Sequence, residues 1–149
     1  NCAQCPLQNG CRAAEMDDPA SLPLRPVKKP KPVRAGNLYI LRNRGGAFLL
    51  GKRPEKGLLG GMLAFPSFGW DGSECPEWLA ALNLAAHSQK LETEIRHVFT
   101  HFTADMTIYY ARIDEDVPVP EGYRWQACSQ KALPTLMAKC YQAFLRQTE

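Results

Sequence analysis

Cys2, Cys5 and Cys11 fall within the first eleven residues, with the spacing C-x2-C-x5-C. Thiolates this close in sequence usually converge on a metal or an iron–sulfur cluster, and such a site takes four ligands. With three present, the chain reads as if divided from a longer protein within a metal motif. Two other readings stand beside it: three free thiols in a tail, and zinc held by three thiolates and a borrowed ligand. Cys75, Cys128 and Cys140 are scattered singly and read as small buried hydrophobes. The polar, cysteine-rich N-terminus is not a secretion signal. A chain of 149 residues can bury a core. Reduced thiols are therefore expected, not disulfides.

The second chemical feature is charge. The net charge is only +3, but Arg25, Lys28, Lys29, Lys31 and Arg34 lie within ten residues of one another. Prolines in residues 24–33 (LRPVKKPKPV) favour an extended polyproline II path, so this is a semi-rigid basic linker. Its charge serves solubility, or contact with a phosphate backbone through counterion release. The sequence leaves those two even. Basic polyproline segments also serve as peptide ligands, which keeps a protein-interaction module open as a function class.

Any such chemistry needs a scaffold, and the pattern after Gly36 supplies one. Residues 37–42 (NLYILR) and 47–50 (AFLL) read as strands, and Arg44-Gly45-Gly46 between them predicts a hairpin. Residues 51–61 form a long glycine-rich loop, with a short strand at 62–66. Trp78, Leu79, Leu82 and Ala86 make a helical face over 76–86. A strand follows at 92–99. Phe102, Ala104, Met106, Ile108 and Tyr110 alternate with polar or larger residues, as in a half-buried strand. A loop at 117–120 and a last short strand at 123–126 come next. Pro134 then opens a helix, where its missing N–H costs nothing. Leu133, Met137, Cys140, Tyr141 and Phe144 share one face of it. The mixture reads as α+β, or α/β with a mixed sheet. The apolar runs are too short for a transmembrane span.

Four segments carry a family resemblance: CAQCPLQNGC (residues 2–11), KRPEKGLLGGM (52–62), RHVFTHF (96–102) and LPTLMAK (133–139). In this order they resemble the C-terminal part of MutY-type A/G-specific adenine DNA glycosylases. Those enzymes remove adenine mispaired with 8-oxoguanine. The resemblance implies an α+β, Nudix-like domain with a mixed β-sheet packed by helices over 36–149. A remnant of an iron–sulfur loop (1–12) and a basic Pro/Lys-rich linker (13–35) precede it. Cys2, Cys5 and Cys11 match the last three of four [4Fe–4S] ligands, so the cluster belongs to the parent protein and is incomplete or absent here. The implied partners are double-stranded DNA with 8-oxoguanine opposite adenine, an upstream helix-hairpin-helix catalytic domain, and repair proteins contacted through the linker. No membrane partner is implied. The setting would be intracellular, nucleoid-associated in a bacterium. The catalytic carboxylates lie in the upstream domain, so this chain alone is expected to release no adenine.

The resemblance also locates a reader of the lesion. Phe99-Thr100-His101 should form an exposed turn, where the family has a Phe-Ser-His turn that reads 8-oxoguanine. Thr for Ser keeps the hydroxyl, which both donates and accepts. Without the resemblance, Phe99 reads as core, Thr100 as a locally bonded side chain, and His101 as a histidine bonded to backbone. Arg44, Lys52, Arg53, Lys56 and Arg96 lie in or near turns and are candidate phosphate contacts.

A nucleotide diphosphatase of Nudix type is the enzyme alternative. It needs several helix glutamates to hold Mg²⁺. Aligned on Phe65-Pro66, the required R-E-x-x-E-E core falls on LNLAAH at 82–87. Asn83, Ala86 and His87 stand at carboxylate positions, and Glu74 alone cannot hold the ion. A Nudix fold without a Mg²⁺ site is expected.

Overall fold

The computed structural model describes residues 2–22, 29–84, 87–113, 117 and 119–148. It contains two compact units, Asn1–Pro30 and Lys31–Glu149. The first is a run of 3₁₀ turns at Cys2–Gln4, Gln8–Gly10, Arg12–Glu15 and Pro19–Ser21. Short-range backbone bonds such as Cys5 N–H to Cys2 O (3.1 Å) hold them, and the first three turns bury no residue. Residues 23–28 of the expected linker, with Arg25 and Lys28, lie outside the described residues.

The second unit contains β1 (Val33–Arg42), β2 (Phe48–Lys52), β3 (Leu63–Ala64), β4 (Ser67–Phe68), α1 (Glu77–Ala81), β5 (Gln89–Lys90), β6 (Ile95–Val98), β7 (Thr103–Arg112), β8 (Tyr123–Gln126) and α2 (Thr135–Thr148). β1 and β7 pair in parallel along their whole length, from Val33↔Thr103 to Arg42↔Arg112. All other pairings are antiparallel: β2 and β4 on β1, β3 and β8 on β2, and β5 and β6 on β7. The sheet is therefore mixed. The Asn43 carboxamide shapes the β1–β2 turn by accepting from Ala47 N–H at 2.8 Å, and Gly46 supplies the positive φ of +84°.

Both faces of the sheet are covered. Leu38, Ile40, Phe48, Leu50, Ala104, Met106 and Ile108 pack on one face with the buried side of α2. Leu41, Leu49 and Ala111 pack on the other with Leu79 of α1. This is why residues 48–51 are buried without alternation, as expected of a strand covered on both sides. The predicted face of α2 is buried, from Leu133 through Phe144.

Some expected bounds shift. β1 begins at Val33 rather than Asn37, because its parallel partner β7 extends that far back. The strand expected at 92–99 is only Ile95–Val98. α1 stops at Ala81, and Asn83 takes a left-handed φ of +45°, which ends helical continuation. Ala85 and Ala86 lie outside the described residues. So do residues 114–116 and Pro118, beside the expected 117–120 loop. Cys75 is exposed, contrary to expectation, while Cys128 is half-buried and Cys140 fully buried. Among the described residues, no helix is long and apolar enough to cross a membrane.

Candidate functional site

β6 returns into β7 through a tight turn, closed on one side by Phe99 N–H donating to Phe102 O at 2.8 Å. Thr100 and His101 form its exposed tip. Among the described residues, neither side chain has a hydrogen-bond partner. The local bonds that would explain them structurally are thus not made. Their polar atoms face solvent and are open to a ligand.

Phe99 is half-buried, and its surroundings explain how the tip is supported. Its ring stacks on Trp70 (5.6 Å between centroids, 11° between planes) and on Phe102 (4.7 Å, 23°). His97 meets it edge-on at 4.6 Å. The Arg53 guanidinium lies 4.9 Å over Trp70, and that of Arg34 lies 4.4 Å over Phe102. Arg53, Trp70, Phe99, Phe102 and Arg34 therefore form one continuous stack. Each contact combines dispersion with quadrupole or cation–π attraction. Gly36 makes room for it, since a Cβ there would lie 2.7 Å from Trp70 Cβ and 2.8 Å from Met106 Sδ. His97 Nδ1 is buried without a partner among the described residues. Burial, helped by the Lys139 charge, lowers its pKa and so disfavours the charged ring.

The five expected phosphate contacts do not share one surface. Arg44 lies at the β1–β2 turn, at the opposite end of the β1–β7 pair from Thr100. Ten residues of strand separate the two ends, roughly 30 Å. Arg53 is a structural residue: its Nη2 donates to Asp71 Oδ2 at 2.5 Å and its Nε to Leu58 O at 2.9 Å. Lys52 pairs with Glu55 at 2.6 Å, and Arg96 forms a bidentate pair with Asp105 at 2.7 and 2.6 Å. Lys56 is exposed in the 53–62 loop.

Sequence reasoning passed over the residues that build the turn's support: Trp70, His97, Lys31 and Arg34. Lys31 donates from Nζ to the Phe99 carbonyl at 2.8 Å, across 68 residues of sequence. Its only sequence signal was membership of the basic run, where it was indistinguishable from its neighbours.

Cys2 and Cys5 are exposed and Cys11 is half-buried. Among the described residues, no three Cys, His, Asp or Glu side chains gather as a metal site. The three thiols thus do not fit a cluster in this arrangement. Glu74 and Glu77 are exposed around the start of α1. A groove of about 550 Å³, lined by Arg42, Phe48, Tyr110, Arg112, Tyr141 and Phe144, opens at the end of the sheet away from Thr100. The candidate site is a protruding turn, a shape suited to a groove or an everted base more than to an enclosed small molecule.

The NUDIX domain family model matches residues 37–143. Human adenine DNA glycosylase is 29% identical over 146 residues, covering 85% of this chain and 26% of the relative. The chain thus spans about a quarter of that relative's length. The C-terminal domain of mouse MUTYH, solved in complex with human PCNA, superposes with a TM-score of 0.59 at 23% identity, over 76% of this chain and 88% of that one. A MutT protein from Methanosarcina mazei Go1 gives 0.58 at 18% identity, over 82% and 99%. At these identities the structural likenesses establish the fold alone.

Proposed function

The chain belongs to the NUDIX domain family, and from that premise we propose that it is a DNA-repair module that reads 8-oxoguanine opposite adenine. It would do so for an adenine glycosylase whose catalytic helix-hairpin-helix domain lies upstream. The similarity to human adenine DNA glycosylase supports the repair context. The observation that carries the reading is the Phe99-Thr100-His101 turn: an exposed tip with two uncommitted polar side chains on a rigid stack.

The chemistry follows from the lesion. Guanine N7 is an acceptor in the major groove. In 8-oxoguanine N7 carries a hydrogen and C8 a carbonyl. The Thr100 hydroxyl would accept from N7–H and donate to O8, which plain guanine cannot reciprocate. His101 would donate to a phosphate or fix the turn. Phe99 is the apolar support. Cleavage of the flipped adenine's glycosidic bond is assigned to the upstream domain. The [4Fe–4S] cluster takes no part in this reading step. A repair-protein contact, of the kind that the mouse domain makes with PCNA, belongs to the same proposal.

The test is anisotropy titration of the chain against duplexes with 8-oxoguanine or guanine opposite adenine. The wild type should prefer the lesion. Thr100→Ala should reduce that preference by about 5- to 150-fold, the range for one base-edge contact worth 1–3 kcal/mol. An unchanged preference removes Thr100 from the site. Mg²⁺-dependent hydrolysis of oxidised guanine nucleotides by the chain would favour the diphosphatase reading instead. That reading has the fold in its support but lacks the carboxylates at 82–87.

A further inference from the structure

The turn at Phe99-Thr100-His101-Phe102 is an open one. Many four-residue turns are closed by the amide of the last residue donating to the carbonyl of the first, and the rest lack that bond. Here the Phe99 amide donates to the Phe102 carbonyl at 2.8 Å. Among the described residues, the reciprocal bond from Phe102 N–H to the Phe99 carbonyl is not made. That carbonyl instead accepts from the Lys31 ammonium at 2.8 Å.

The same incoming segment grips the far side of the turn twice more. Thr103 N–H donates to Pro32 O at 2.9 Å. The Arg34 guanidinium stacks on Phe102, at the turn's fourth position. Lys31 is the first residue of the compact unit, so the chain enters the domain by clasping the turn.

We propose that Lys31, with Arg34, is a positioning residue for recognition of 8-oxoguanine: it replaces the missing turn bond and sets the aim of the Thr100 hydroxyl. This rests on the function proposed above. The physical reason is that an open turn has freedom at its tip. The peptide linking Phe99 to Thr100 carries the carbonyl that Lys31 holds. Rotation of that peptide would swing Thr100 away from N7–H and O8. A charge-assisted bond is roughly twice as strong as a neutral one, so it restrains this rotation well even at an exposed site. Lys31 does not itself touch the base. Its loss should therefore lower discrimination without lowering general DNA affinity, which separates positioning from a phosphate contact.

The experiment uses the full chain and two duplexes, with 8-oxoguanine or guanine opposite adenine. Lys31→Met keeps the aliphatic stem and removes the donor, Lys31→Arg restores a cationic donor, and Lys29→Met removes a neighbouring charge as control. The expected result is a roughly fivefold or greater fall in the lesion-to-guanine affinity ratio for Lys31→Met, at least the net scale of one ordinary hydrogen bond. Affinity for the guanine duplex should stay within about twofold at fixed salt. Lys31→Arg should recover most of the ratio, and Lys29→Met should leave it unchanged. Equal losses on both duplexes, or an equal fall for Lys29→Met, would make Lys31 a generic phosphate contact and overturn the proposal. So would an unchanged ratio for Lys31→Met in a wild type that prefers the lesion. A wild type with no preference refutes the underlying function as well.

Discussion

Replacing Asp71 by Asn tests how the support of the turn is held together. Asp71 Oδ2 accepts from Arg53 Nη2 at 2.5 Å, and Oδ1 accepts from Ser73 N–H at 3.0 Å and Ser73 Oγ at 2.6 Å. The two paired side chains are only 16% and 10% exposed. Asn preserves shape but removes charge, and its amide must turn a donor toward Arg53 or toward Ser73. Breaking one side of a fully buried ion pair costs about 3–5 kcal/mol. Residual water access to Arg53 and its retained bond to Leu58 O reduce this to about 2–3 kcal/mol. A domain of about 120 residues loses about 4 °C per kcal/mol, so Tm should fall by about 8–12 °C at pH 7.

The pH dependence gives a second check. Burial pushes the Asp71 carboxyl up, but the bond from the Ser73 hydroxyl, those from Arg53 and the Ser73 amide, and the Arg53 charge together outweigh it, and its pKa lies below the usual value. A carboxyl with a depressed folded pKa stabilises above its unfolded value, near 3.9, and that contribution is lost as pH falls through the folded value. The gap between wild type and Asp71→Asn should therefore be full at pH 7 and close as pH drops below about 4. Thermal and urea unfolding followed by circular dichroism would measure both. Glu55→Gln, which breaks the exposed Lys52 pair, should change stability by less than about 1 kcal/mol. A Tm loss below about 3 °C for Asp71→Asn, or one no larger than for Glu55→Gln, would refute the assignment of Arg53 and Asp71 as a structural pair.

Two further outcomes follow from packing. Gly36→Ala puts a methyl against Trp70 and Met106, so it should cost about 1–3 kcal/mol in urea unfolding and change Trp70 fluorescence in the native state; a neutral result would mean the stack yields easily. Burial pushes the Cys128 thiol up to about 11 and the Cys140 thiol up to about 12. In native protein at pH 8, iodoacetamide with peptide mapping should label the exposed Cys2, Cys5 and Cys75 and spare Cys140 until denaturant is added; early labelling of Cys140 would contradict its burial on the inner face of α2.

Much of the fold was legible because it is written in local periodicity. The alternation from Phe102 to Ile108 and the helical face from Leu133 to Phe144 each depend on neighbours a few residues apart, and both are buried as expected. The hairpin at Arg44-Gly45-Gly46 was legible for the same reason. Cys75 was misread because burial of an isolated small residue has no periodic signal. The pairing of Arg53 was not legible because a charge in a loop looks solvated until Asp71 and Trp70 are brought against it. α1 was read too long because Ala and Leu favour a helix, while Asn83 turns the backbone left-handed.

What the sequence alone determined was the class of scaffold, the exposed turn and its hydroxyl, and the absence of carboxylates from residues 82–87. Those are properties of residue type and short-range order. Tertiary structure decided which cations serve the turn. Parallel pairing of β1 with β7 carries Lys31 and Arg34 to Phe99 and Phe102, and sends Arg44 to the far end of the sheet. No local rule could have chosen among these cations, since the contacts join residues 68 positions apart, and the pairing that makes them neighbours belongs to the whole sheet.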